Sequence, residues 1–106
     1  MSKILTPNAE EFDSLIKGQK TVIADFFANW CGPCKMIAPL LEKLSEKYSD
    51  KIIFVKIDVD AYPELADAYK IYNIPNVKAI KGGTVIGERL GYVGEGDLEA
   101  FILGSI

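Results

Sequence analysis

Two segments, TVIADFFA at 21–28 and KIIFVKIDVD at 51–60, are apolar on both sides of a two-residue period. In the first, Val22, Ala24 and Phe26 line one face, while Ile23 and Phe27 flank Asp25 on the other. A strand apolar on both faces is stable only as an inner strand of a sheet, covered on each side. The rest of the chain must therefore supply helices for two faces. NAEEFDSLIKG carries Phe12, Leu15 and Ile16 at helical spacing, with Gly18 placed to close the helix. From Cys34 to Tyr48, Ile37, Leu40, Leu41 and Leu44 mark a long helix, in which Pro39 predicts a kink. YPELADAYKIY returns to helical spacing through Leu65, Ala68 and Tyr69, and GEGDLEAFILGSI does so through Leu98, Phe101 and Ile102. NVKAI and TVIGERL meet across Lys81-Gly82-Gly83, where paired glycines suit a tight hairpin. The predicted order is α, β, long α, β, α, β, β, α, with a short leading strand at Lys3 to Leu5. This is an α/β chain with a mixed sheet between two helical layers.

Length and composition narrow the function. At 106 residues, 49% hydrophobic and 25% charged, the chain suits one globular domain spanning 1–106, and no repeat or linker divides it. Twelve basic and fifteen acidic residues, spread along the chain, leave no basic stripe for nucleic acid. Its longest apolar runs, such as IIFV, fall far short of the roughly 18 residues of a membrane span. The N-terminal MSKILTPNAEEF lacks an apolar run and a small-residue cleavage site, which reads as a cytoplasmic address.

Both cysteines, Cys31 and Cys34, stand three apart behind the only tryptophan, Trp30. In a reducing compartment, and closing so short a loop, a disulfide between them adds little stability. Reaction or metal binding explains the spacing better. In a first helical turn, residues three apart have Cα atoms roughly 5 Å apart, which suits a reversible disulfide. Gly32 and Pro33 complete the turn, proline being at home where its missing N–H has no partner. The attacking thiol must ionise, and bringing a free thiol from about pH 8.5 to neutrality takes about 2 kcal/mol. A helix dipole supplies only ~0.3–1 kcal/mol, so direct donors to the sulfur, such as free first-turn amides and the Cys34 thiol, must supply the rest. Cys31, ahead of the helix, is then the exposed nucleophile, and Cys34, one turn inside, the shielded resolving thiol. Two alternatives are that the cysteines are small apolar fillers, or that they form half of a zinc site. With no histidine and no third cysteine, zinc requires a second chain.

The segment ADFFANWCGPCKMIAPLLEKL resembles the active-site segment of the thioredoxin family, including Trp30, both cysteines, Lys35 and Pro39. VKIDVD, YNIPNV, the hairpin glycines and Gly91 fall in the family's order, so the resemblance runs the full length. It implies the thioredoxin fold, a central mixed sheet flanked by helices on both faces. It also implies a protein-disulfide reductase with no bound cofactor or metal beyond the redox-active Cys31–Cys34 disulfide. Its partners are then disulfide-containing substrate proteins and a thioredoxin reductase as electron donor, and the chain works as a monomer. An aspartate inside a two-faced apolar strand is desolvated and holds its proton unusually well. The resemblance makes Asp25 the buried carboxyl that exchanges a proton with Cys34, modulated by Lys56. It makes Ile74-Pro75 a cis bond against the active-site loop. Trp30, Gly32, Pro33, Ile74, Pro75 and Gly91 become the substrate-docking surface, reading main chain more than side chains.

Phe27 stands where tryptophan is frequent in the family, Asn76 where threonine often follows the proline, and Lys78 inside a strand where an apolar residue is usual. Lys78 is expected to reach a rim or a partner. Two rival functions share the fold: a redox-silent scaffold, and an oxidant or isomerase. Gly32-Pro33 between the cysteines favours the reductant.

Overall fold

The computed structural model describes residues 2–106. Its first helix, α1 (Ala9–Ile16), begins with a capping box in which Asn8 and Glu11 exchange side-chain and backbone hydrogen bonds, both 2.8 Å. Strand β1 (Thr21–Phe27) follows, then α2 (Gly32–Tyr48), β2 (Ile52–Asp58), α3 (Pro63–Ala68), β3 (Asn76–Lys81), β4 (Thr84–Leu90) and α4 (Glu95–Leu103). The sheet order is β2-β1-β3-β4, with β1 parallel to β2 and antiparallel to β3, and β4 antiparallel to β3. β1 is thus paired on both edges, the inner position its two apolar faces require.

Those faces belong to different halves of the core. Ile23 packs with Ile37, Leu41 and Leu44 of α2 and with Leu98 and Ile102 of α4. Val22, Ala24 and Phe26 pack with Phe12 and Ile16 of α1, and Leu65 of α3 lies against the same cluster. On that side the rings of Phe12, Phe26 and Tyr69 meet with centroids 5.6–6.2 Å apart. Because side chains alternate along a strand, Asp25 shares the α2 and α4 side with Ile23.

The predicted elements occur in the predicted order, with differences at their ends. The leading strand is a single parallel bridge, Leu5 to Val55, made by Leu5 N–H to Phe54 O and Lys56 N–H to Leu5 O. α2 passes through Pro39 as one helix. α3 stops at Ala68, and Lys70 two residues later has φ +55°, a conformation that cannot continue a right-handed helix. In the hairpin, Gly82 and Gly83 take φ +59° and +81°, as a two-residue turn matching the strand twist demands.

Lys78 does not reach a rim. Its side chain is 7% exposed, lies on the α1 side of the sheet, and pairs with Glu88 across the hairpin at 2.6 Å. The register causes this, since Lys78 and Glu88 face each other directly. A lysine so buried depends on its counter-charge, whereas an apolar side chain of similar length does not. Lys78→Met is therefore expected to change stability by less than about 1 kcal/mol. Glu88→Ala is expected to cost about 1–2 kcal/mol, because Glu88 is half-exposed and water partly replaces it. Urea unfolding of the two variants checks this.

Candidate functional site

The carboxyl end of β1 and the amino end of α2 are joined by four residues, Ala28 to Cys31, which sets the reactive pair at the end of the sheet. Cys31 is the N-cap of α2, with extended backbone, and Gly32 and Pro33 open the helix. Its Sγ accepts the Cys34 amide hydrogen at 3.2 Å, so sulfur takes the place that a serine or aspartate oxygen holds in an ordinary cap. Cys31 and Cys34 form a disulfide, with Cα atoms 5.3 Å apart.

The exposure expected of Cys31 is not found: Cys31 is 5% exposed and Cys34 3%. They form a small buried cluster with Ala28, against which Phe27, Val59 and Ile74 pack. The two residues differ little in exposure, and Cys31 differs from Cys34 in standing as the N-cap of α2. Cys31 Sγ also lies 3.8 Å from the Ile74 carbonyl oxygen, bringing the 74–75 loop onto the cap. The Ile74-Pro75 bond is cis, and Pro75 O accepts the Gly91 N–H at 2.8 Å. Gly91 has φ +74°, which a residue with a Cβ adopts only with strain. Cys31, Ile74, Pro75 and Gly91 are therefore brought together by loops from three parts of the chain.

Trp30 is 71% exposed and is held from another side: its Nε1–H donates to Asp60 Oδ2 at 2.9 Å. Asp60 is itself fixed by an Asx turn, Asp58 Oδ1 accepting the Asp60 N–H at 2.9 Å. Val59 N–H donates to Phe27 O at 2.9 Å, tying this turn to the end of β1. Sequence reasoning missed Asp58 and Asp60. An aspartate closing an apolar strand and followed two residues later by another is the signal that was available.

Beneath the disulfide lies a cavity of about 110 Å³ walled in part by Asp25, Phe27, Cys34, Lys35 and Lys56. Asp25 is 5% exposed and its Oδ1 has no hydrogen-bond partner. Burial pushes its carboxyl up from 3.8 to about 7, with the charge of Lys56 opposing the rise. Lys56 is the register partner of Asp25 on β2, yet no ion pair joins them among the described residues. Its Nζ lies instead over the Phe27 ring, 4.6 Å from the centroid. A larger hollow, about 540 Å³, lies beside α1 with Leu5, Pro7 and Glu11 in its wall, and no cysteine lines it. Among the described residues there is no cluster of metal-ligating side chains and no helix long and apolar enough to cross a membrane.

The thioredoxin family model matches residues 3–103, nearly the whole chain. The chain belongs to the thioredoxin family. Thioredoxin 1 of Plasmodium falciparum is 46% identical over 91 residues, 86% of each chain. The mitochondrial thioredoxin of Mus musculus is 40% identical over 90 residues, which span 85% of this chain and 54% of that one. The solved structure of Malassezia sympodialis thioredoxin superposes with a TM-score of 0.92 at 34% identity, covering 99% of this chain and 92% of that one. The four-strand mixed sheet flanked by helices is the thioredoxin fold. The chain is a thiol-disulfide oxidoreductase with Cys31 and Cys34 as its redox-active pair, and its activity is protein-disulfide reduction.

The raised Asp25 carboxyl has a consequence for the stability of the fold. An unfolded aspartate ionises near pH 3.9, whereas the folded one keeps its proton to about pH 7. Folding is therefore unpenalised below about pH 4, increasingly penalised as pH rises toward 7, and fully penalised above it. Asp25→Asn is expected to stabilise the protein by up to about 4 kcal/mol at pH 8, with the gain shrinking to near zero at pH 4. Denaturant unfolding of both proteins across that range is the measurement.

Proposed function

We propose that Cys31 is the nucleophile and Cys34 the resolving thiol, and that Asp25 carries the proton between steps. The observation that supports this most is the Cys34 amide hydrogen directed at Cys31 Sγ from the first turn of α2. Negative charge on that sulfur is met by a first-turn amide and by the helix dipole, whereas Cys34 sits inside the turn. In the reduced protein, the Cys31 thiolate attacks one sulfur of a substrate disulfide. The substrate S–S bond breaks, one substrate thiolate leaves, and a mixed disulfide forms on Cys31. The Asp25 carboxylate then takes the proton from the Cys34 thiol. The Cys34 thiolate attacks Cys31 Sγ, and the second substrate thiolate departs. Two electrons pass to the substrate, leaving Cys31 and Cys34 joined. A carboxyl near pH 7 suits this shuttling, since it gains and loses its proton at working pH. Lys56 is read as the charge that keeps Asp25 from rising further.

Substrates dock, on this proposal, as an extended strand across Trp30, Gly32, Pro33, Ile74, Pro75 and Gly91. The clustering of Ile74, Pro75 and Gly91 against Cys31 supports that surface, with Trp30 fixed beside it by Asp60. A thioredoxin reductase is the proposed electron donor. Residues 1–106 are read as one domain, working as a monomer in the cytoplasm, in keeping with a pair that must be kept reduced.

Cys34→Ser is expected to retain attack and lose resolution. Incubated with a disulfide protein such as insulin, it should accumulate reducible adducts through Cys31, with turnover falling at least about a hundredfold. Adducts forming on Cys31→Ser instead would reverse the two roles, and their absence from both variants would remove the reductase reading of the pair.

A further inference from the structure

The Asp25 cavity has one wall that disulfide exchange leaves unexplained. Phe27 ends β1 two residues after Asp25, so its ring projects on the same side of the sheet. Lys56 projects there too, because it is the register partner of Asp25 on β2. Its ammonium has three places to go: water, the Asp25 carboxylate, or the ring. It lies over the ring at 4.6 Å from the centroid, inside the ≈ 6 Å range of cation–π attraction, and makes no ion pair with Asp25 among the described residues.

We propose that Phe27 is a positioning residue for proton transfer at Asp25, its ring face holding the Lys56 ammonium on the cavity wall where it acts on the carboxylate without contacting it. This rests on Asp25 being the proton carrier. A free lysine side chain extends its ammonium to water, and a contacting one makes an ion pair that locks the carboxylate in its charged form. The ring holds an intermediate place. It keeps enough positive charge nearby for Asp25 to ionise at working pH, and leaves the carboxylate free to take a proton from Cys34. The groups facing Asp25 are Lys56 from β2, Cys34 and Lys35 from α2, and Asn29 from the connecting loop. From β3 it meets Val77, which carries no charge.

The test follows the Asp25 carboxyl carbon by NMR against pH in the oxidised protein, where Cys34 is held in the disulfide and does not titrate. Phe27→Leu, Lys56→Met, the double variant and Phe27→Trp are compared with the parent protein. Phe27→Leu is expected to raise the Asp25 midpoint by ~0.5 pH unit, the effect of moving one screened charge a few ångströms away. Lys56→Met should raise it at least as far, and adding Phe27→Leu to Lys56→Met should raise it no further. Phe27→Trp, with a stronger ring face, should keep the parent midpoint. The pH profile of disulfide reduction should move with the midpoint.

A shift from Phe27→Leu of equal size with and without Lys56 overturns the proposal, since the ring would then act by excluding water. No shift or a downward shift, while Lys56→Met moves the midpoint upward, also overturns it. If neither substitution moves the midpoint, Lys56 does not modulate Asp25 and nothing is left for the ring to position. If the midpoint moves and the reduction profile does not, the proton-carrier reading of Asp25 fails, and the catalytic meaning of Phe27 fails with it.

Discussion

The amide hydrogen of Cys34 pointing at the sulfur of Cys31 is the contact on which the proposed chemistry turns. It exists because α2 starts at Gly32, leaving Cys31 as the cap and Pro33 where a missing N–H removes no helical bond. An ordinary N-cap uses oxygen to satisfy first-turn amides. Sulfur in that place is a weaker acceptor when neutral and a stronger one when charged, so the helix end favours the state in which sulfur reacts. One backbone arrangement thus closes the disulfide ring and assists its opening.

The cap is held in place by the sheet. β1 is paired along both edges and packed on both faces, so its carboxyl end is fixed, and four residues later α2 begins. The same strand carries Asp25 beneath the disulfide. Its neighbours on that side, Phe27 and the register partner Lys56, wall the cavity beside it. The elements of the proposed docking surface arrive separately: the 74–75 loop and Gly91 through a backbone hydrogen bond, and Trp30 through Asp60. Their grip is polar and local, while the cap rests on the core.

How much of this was legible follows from the physics of each part. The two-faced pattern around Asp25 led directly to an inner strand, a buried acid and two helical layers, because side-chain alternation is a local property. CGPC ahead of an amphipathic run led to the cap for the same reason. The burial of Cys31 does not follow from its local sequence, because the side chains packed against its cluster include Val59 and Ile74, more than 25 residues away. Lys78 was misplaced for a similar reason, its burial depending on a hairpin register that brings Glu88 opposite. The leading strand was over-read, since three residues at a sheet edge make one bridge. Phe27 was visible as a departure from the family, but its relation to Lys56 required the parallel register of β1 and β2.

The central claim is that the helix end, rather than greater exposure, singles out Cys31. The most direct measurement is limited alkylation of the fully reduced protein with iodoacetamide at neutral pH, with peptide mass mapping of the singly modified product. Cys31 and Cys34 are buried to nearly the same degree as residues in the disulfide form, so residue exposure gives little preference. The expected result is label on Cys31, with Cys34 modified only at excess reagent. Equal labelling, or label first on Cys34, would contradict the role given to the cap.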